Sequence, residues 1–255
     1  RQMCIRDRMY RNVAKVVLKG IKIKESVAEG QQYPNAELKL KEIFILHGHN
    51  NSKLVGANGA EWGSTMMDGS YGNGVVSDAY TKYLEDVSET DKIFNYIQDP
   101  TSNYVYEPTF VSVFDDVTVS KTEAYAPKDM KTFYPYENTS GEDGIQTLLV
   151  IKGDFSYDGI KSGDSEPSRI TESNRYYSFA IGNTGTVSEK VPTDFVGLRA
   201  DDKIHGVMRN LQYNTTITVT GPGYKTPVGP KYDETFLDVK VEVVPFGEVD
   251  QDVEI

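Results

Sequence analysis

The sequence predicts an all-β protein, namely an antiparallel β-sandwich with long loops and little helix. The composition of the 255 residues, with 17 Tyr, 22 Gly and 11 Pro, suits strands and turns better than a helical bundle. Several segments of strand length alternate apolar with polar residues, and turn-forming residues separate them. Almost no helical periodicity lies between these segments, and this spacing is typical of a β-sandwich.

Composition also excludes some classes of partner. The formal net charge of -11 argues against a nucleic-acid backbone or an anionic membrane, because both attract clusters of Lys and Arg. The sequence contains no run of about 18 or more apolar residues, so it predicts no membrane-spanning helix. The single cysteine, Cys4, has no internal disulfide partner.

The first eight residues differ in character from the rest. Residues 1–8 resemble a translated sequencing-adapter stretch, and no signal peptide or lipobox surrounds Cys4. We expect residues 1–8 to be a non-native scar and residues 9–255 to be a domain whose upstream part is missing.

In the first half, residues 12–24 predict a strand whose apolar parity switches after Gly20, as at a β-bulge or a crossing between sheets. Residues 38–46 predict a second strand with Leu38, Leu40, Phe44 and Leu46 on one side. Residues 50–74 are rich in Gly, Asn and Ser and predict a surface excursion. Residues 77–98 are the only stretch with a helical pattern.

The second half is more regular. Pro108 predicts an edge position or a loop within residues 104–120. Residues 132–137 and 145–157 predict a hairpin, because a turn-forming heptapeptide separates them. Two further strands are predicted because alternating apolar and aromatic residues share one face. In the first these are Tyr177, Phe179 and Ile181, and in the second they are Tyr213, Ile217 and Val219.

The C-terminal segment predicts two strands separated by a corner at residues 245–247. Apolar residues alternate with charged ones in both strands. The first places Leu237, Val239, Val241 and Val243 on one face, and the second does the same with Val249, Gln251, Val253 and Ile255. A strand at a free terminus can close its own sheet or be given to a neighbouring molecule.

No pattern predicts a catalytic, cofactor or metal site. His47 and His49 share a strand face but provide too few ligands for a metal. The segment that begins at Asp154 partly matches an EF-hand calcium loop, but it lacks a carboxylate at the twelfth position and starts inside a predicted strand. No phosphate loop or nucleophile elbow occurs, so the chain is expected to be a structural or binding protein rather than an enzyme.

Aromatic residues in the first half leave a binding function open. They could stack on sugars or simply pack within loops. These candidates are Trp62, Tyr71, Tyr80 and Tyr83.

With the strands placed, the chain resembles the C-terminal part of a Bacteroidales fimbrillin, the major subunit of type V pili. Four stretches carry the resemblance, and the final strand pair completes it. They are residues 11–23, which open with Arg11-Asn-Val-Ala-Lys15; Phe133-Tyr-Pro-Tyr-Glu-Asn138; Arg175-Tyr-Tyr177; and Arg209-Asn-Leu-Gln-Tyr213 followed by residues 217–223. The family often has Trp where this chain has Pro245-Phe246, and its N-terminal domain is missing here.

The resemblance implies a transthyretin-like β-sandwich pilin, exported as an outer-membrane lipoprotein and assembled at the cell surface. Residues 9–255 would be its C-terminal domain. In the family, an Arg-specific protease removes an N-terminal strand and a neighbour's C-terminal segment fills the groove. On this chain the donor strand would be residues 249–255, with Val249, Gln251, Val253 and Ile255 facing the groove. The partners would be other copies, related pilus subunits, and host or bacterial surface receptors. Alternatives are a surface glycan-binding lipoprotein and a fimbrial tip or anchor subunit.

Overall fold

In a computed structural model of the chain, the structure describes residues 13–24, 33–46, 48–49, 104–105, 109–126, 131–138, 146–182, 186–187, 206–225, 227 and 237–246. Within these ranges, no helix has the length and apolar character needed to cross a bilayer. The described residues form strands β1 (Lys15–Ile23), β2 (Glu37–Leu46), β3 (Gly48–His49), β4 (Tyr104–Val105), β5 (Thr109–Ser120), β6 (Lys131–Phe133), β7 (Leu148–Gly159), β8 (Ser168–Ala180), β9 (Thr186–Val187), β10 (Leu211–Val219) and β11 (Leu237–Pro245).

The strands form two larger sheets and one small sheet. The five-stranded sheet has the order β6-β1-β10-β11-β9, and the four-stranded sheet has the order β5-β2-β7-β8. The small sheet pairs β3 with β4. Most pairs are antiparallel, but β1 pairs with β10, and β11 with β9, in parallel. The all-β sandwich is therefore confirmed, with parallel pairs that the sequence did not predict.

One hydrophobic core draws residues from both larger sheets. Strand β10 alternates buried and half-buried residues along its whole length. Its inward set of Tyr213, Ile217 and Val219 is confirmed. The set around the end of β8 is confirmed too, because Tyr177, Phe179 and Ile181 also lie in this core.

Strand β1 contains the predicted irregularity. Its register with β10 shifts between Leu18 and Gly20, and core residues change parity there, from Val16 and Leu18 to Ile21 and Ile23. The β-bulge reading of the Gly20 signal is therefore confirmed.

Strand β2 corrects one prediction. Its register shifts between Leu40 and Glu42, so the residues after the shift change faces. Ile43 and Ile45 join Leu38 and Leu40 in the core. Phe44 and Leu46 were predicted on that same side; they are buried but point to the opposite face, so that assignment was wrong.

The predicted hairpin of residues 132–137 and 145–157 was also wrong. Strand β6 pairs with β1 in the five-stranded sheet, whereas β7 pairs with β2 and β8 in the four-stranded sheet. The segments on either side of the turn-forming residues therefore belong to different sheets. The Pro108 signal is confirmed, because β5 begins just after it and is an edge strand. Residues 50–74 and 77–98 lie outside the described residues.

Candidate functional site

The candidate site is the end of the five-stranded sheet at which strand β11 ends. Strand β11 pairs with β10 from Val219↔Leu237 to Leu211↔Pro245. Its inward residues Leu237, Val241 and Val243 are buried, so the first strand of the predicted C-terminal pair is confirmed. The proposed donor residues Val249, Gln251, Val253 and Ile255 lie outside the described residues.

Phe246, directly after β11, is fixed by three separate elements. Its backbone N–H donates to the carbonyl of Asn210 at 3.0 Å. Its ring stacks on Tyr134, with centroids 5.9 Å apart and an interplanar angle of 21°. The Lys15 ammonium lies 5.5 Å from the Phe246 ring centroid, within cation–π range. We call Lys15, Tyr134 and Phe246 the aromatic patch; Tyr134 is 44% exposed.

Asn210 connects the beginning of β1 with the end of β11. Its N–H donates to the carbonyl of Val13 at 2.9 Å, and its own carbonyl accepts the hydrogen bond from Phe246. Its φ of 63° lies in the left-handed region, which Asn tolerates better than most residues. A single residue is therefore bonded both to the residue shortly before β1 and to the residue directly after β11.

A buried ion pair lies beside Asn210. The Arg209 Nε donates to the Glu137 Oε2 at 2.6 Å, and both side chains are almost fully buried. Burial raises the pKa of the Glu137 carboxyl, and the Arg209 guanidinium opposes that rise. The pair joins the stretch after β6 to the turn before β10.

Backbone hydrogen bonds reinforce the same junction. Asn138 and Val207 exchange both backbone hydrogen bonds, at 2.8 and 2.7 Å. The Asn138 side-chain amide donates to the Thr147 hydroxyl at 3.0 Å, and the Ala14 N–H donates to Pro135 at 2.9 Å. The turn that carries Arg209 and Asn210 is thus held from several sides.

Two buried phenols act as neutral hydrogen-bonding groups. The Tyr213 hydroxyl accepts from the Met208 N–H at 2.7 Å and donates to the Gly206 carbonyl at 3.3 Å. The Tyr177 hydroxyl donates to the Gly221 carbonyl at 3.0 Å. Burial raises the pKa of both phenols, so they fix loops rather than exchange protons near neutral pH.

The motif residues therefore have structural roles that sequence reasoning missed. Glu137 and Arg209 belong to two separate sequence motifs, residues 133–138 and 209–213. The contact between them was not predicted. Two opposite charges within motifs that carry no other charge were the available signal, since buried charges need partners. Nothing in the spacing of the motifs indicated that they meet.

The two aspartates of the segment that resembles a calcium-binding loop interact with protein groups in the structure. The Asp154 Oδ1 accepts from the Lys41 ammonium at 2.6 Å and from the Asn174 N–H at 2.8 Å. Asp158 accepts from the Asn35 side chain at 2.6 Å. Among the residues that the structure describes, no three His, Cys, Asp or Glu side chains come together as a metal site.

Other candidates lie outside the described residues. These are His47, His205 and the predicted aromatic contacts Trp62, Tyr71, Tyr80 and Tyr83. His49 belongs to β3, of which only the backbone is described. Whether the four aromatic residues bind glycans or pack in loops stays a prediction.

Comparison with known proteins gives matches only among solved structures. No family model and no curated protein matches the chain. A candidate cell adhesion protein of Parabacteroides distasonis is 25% identical with a TM-score of 0.52, over 93% of this chain and 60% of that one. A second such protein of the same organism is 16% identical (TM-score 0.49), over 95% of this chain and 54% of that one. A fimbrilin of Porphyromonas gingivalis is 18% identical (TM-score 0.46), over 95% and 60% of the two chains.

The first of these structures carries the comparison, because its TM-score of 0.52 and identity of 25% are the highest of the three. The chain spans about three fifths of that protein's length. It shares its fold with this candidate cell adhesion protein, and the resemblance to Bacteroidales fimbrillins that the sequence motifs predicted is confirmed.

Proposed function

We propose that the chain is a structural pilin subunit of a cell-surface fimbria, which polymerises by donor-strand exchange and supports adhesion. Residues 249–255 are the donor strand, and the acceptor is a groove in the next copy. The observation that carries the proposal is the anchor at Phe246, which holds the end of β11 immediately before a second alternating segment. The similarity to cell adhesion and fimbrial proteins supports it.

The donor segment has the chemistry that such an exchange needs. Val249, Val253 and Ile255 are aliphatic, and burial of each stabilises the complex by about 1.5–3 kcal/mol. A ladder of backbone hydrogen bonds adds about 1 kcal/mol for each bond, which together can exceed the cost of association. Asp250 and Asp252 would face solvent or the neighbour's Lys and Arg, and would help to set the register.

The remaining parts of the proposal concern the longer protein. We place the mature subunit in a fimbrium at the cell surface, after export as an outer-membrane lipoprotein precursor. Its partners are other copies of itself and related pilus subunits, and surface receptors of host or bacterial cells are the targets of adhesion. It carries out no catalysis and binds no cofactor.

Deletion of residues 249–255 from the full-length, proteolytically trimmed subunit tests the proposal. We expect a folded monomer that forms no fibres in electron micrographs. A matched control exchanges the apolar and acidic positions of the segment, which keeps its length and composition but turns the apolar side chains outward. This control should also fail to polymerise. Fibres formed by the deletion variant would refute donor-strand exchange through this segment.

A further inference from the structure

We infer that the aromatic patch of Lys15, Tyr134 and Phe246 is the surface on which the acceptor copy docks. The inference rests on the proposed function and adds a second contact to it, outside the groove. The partner is another copy of this chain, namely the one that receives residues 249–255.

The reach of the chain requires this proximity. Only Gly247 and Glu248 separate Phe246 from Val249. Three extended residues span about 11 Å at most, and the backbone of Phe246 is held on Asn210. The mouth of the acceptor groove must therefore lie within about 11 Å of Phe246. Tyr134 and Lys15 contact the Phe246 ring, so they belong to the part of the donor subunit that lies nearest to this mouth.

The aromatic patch lies at one end of the five-stranded sheet, where three elements of the fold meet. Lys15 opens β1 opposite Gln212, which pairs with Val244 near the end of β11. Tyr134 directly follows β6, the neighbour of β1. The three side chains thus come from three elements at one end of the five-stranded sheet. A partner that docks there meets side chains that already contact one another within the subunit, which lowers the entropic cost of association.

The chemistry of the patch suits a protein partner. Tyr134 combines an exposed ring with a hydroxyl, and Tyr is enriched among the residues that dominate interface energies. Lys15 adds a positive charge at the same place. A chain with a net charge of -11 offers many carboxylates for that charge, so the partner surface should present apolar atoms to Tyr134 and a carboxylate to Lys15.

Tyr134→Ala in the full-length, trimmed subunit tests the inference. We expect the critical concentration for fibre formation to rise about tenfold, as for loss of one strong interface residue. Ile160→Ala is the matched control, because Ile160 is 61% exposed and follows β7 in the other sheet; it should assemble like the unaltered subunit. Tyr134→Phe should retain most of the assembly. Lys15→Glu should also impair assembly, because it reverses the charge.

The outcomes separate this inference from the proposed function. If deletion of residues 249–255 abolishes fibres while Tyr134→Ala assembles normally, the docking surface is wrong and the donor strand stands. If the deletion variant still forms fibres, both are wrong. The melting temperature of the monomer provides a further criterion. If Tyr134→Ala and Lys15→Glu both lower it in proportion to the loss of assembly, the patch acts within one subunit, and the inference is overturned.

Discussion

Glu137 and Arg209 form a buried ion pair across 72 residues of sequence, with 2.6 Å between the Arg209 Nε and the Glu137 Oε2. Arg209 is followed by Asn210, whose carbonyl holds the N–H of Phe246. The pair therefore fixes the turn to which Phe246, the residue directly after β11, is hydrogen-bonded. Because burial outweighs the effect of Arg209 on the pKa of Glu137, we attribute to the pair a defined geometry rather than a large net stabilisation.

Removal of one member of this pair should cost more than replacement of both. Glu137→Leu or Arg209→Met alone leaves a buried group without its partner, and the free energy of unfolding should fall by about 3–5 kcal/mol. The double variant exchanges the pair for apolar side chains, and its loss should be smaller than that of either single variant. Urea unfolding of all four proteins measures this. Strictly additive losses would contradict the coupling.

The pH dependence of stability should report the raised pKa of Glu137. The folded protein holds this proton more tightly than the unfolded chain, so the contribution of Glu137 is fully present below the ordinary glutamate pKa. It is lost as the pH rises through the raised pKa. The stability of the unaltered protein relative to the Glu137→Leu/Arg209→Met variant should therefore decline with rising pH. Urea unfolding at a series of pH values tests this, and a difference that increases with pH would contradict it.

Gly182 should tolerate a side chain far less than Gly163 does. Both have positive φ, 88° and 97°, so Ala at either position incurs about 1–2 kcal/mol of backbone strain. A Cβ at Gly182 would lie 1.9 Å from the Gly206 carbonyl oxygen, whereas one at Gly163 would meet nothing within 4 Å. Gly182→Ala should thus lower the melting temperature clearly more than Gly163→Ala. Equal losses would show that the backbone approach at Gly206 is unimportant.

The two faces of the donor segment should differ in their effect on assembly. Val253→Asp places a charge where the proposal requires an apolar side chain in the acceptor groove, and it should nearly abolish binding between subunits. Asp252→Ala changes the outward face and should weaken binding only slightly. A pull-down between tagged and untagged mature subunits compares the variants. Equal effects of the two substitutions would count against the face assignment.

Local periodicity predicted most strands of the sandwich. The alternation around Tyr213 and Tyr177 predicted two core strands, and the parity switch at Gly20 predicted the bulge of β1. The bulge of β2 was missed, because no Gly marks it and Lys41-Glu42 reads as an ordinary polar interruption. Alternation identifies a strand, but an inserted residue without a backbone signature can hide a change of face.

Strand partners could not be predicted in the same way. The hairpin expected around residues 138–144 was wrong because turn residues mark where a chain reverses, not which sheet it joins next. The parallel pairing of β1 with β10 joins segments almost 200 residues apart, and no local pattern carries that information. The contact between Glu137 and Arg209 depends on this same long-range arrangement. The anchor site was therefore visible in the sequence only as separate motifs.

The double hydrogen bonding of Asn210 has a mechanical consequence. Val13, shortly before β1, and Phe246, directly after β11, are both hydrogen-bonded to this one residue. If a neighbouring copy holds residues 249–255 as proposed, tension on them reaches the sandwich at Phe246. The hydrogen bond from Phe246 passes part of that load to Asn210, and the bond from Asn210 passes it on to Val13 near the beginning of β1. Asn210 would therefore brace β11 against β1 at the end of the sheet where the load arrives, although β10 lies between these two strands.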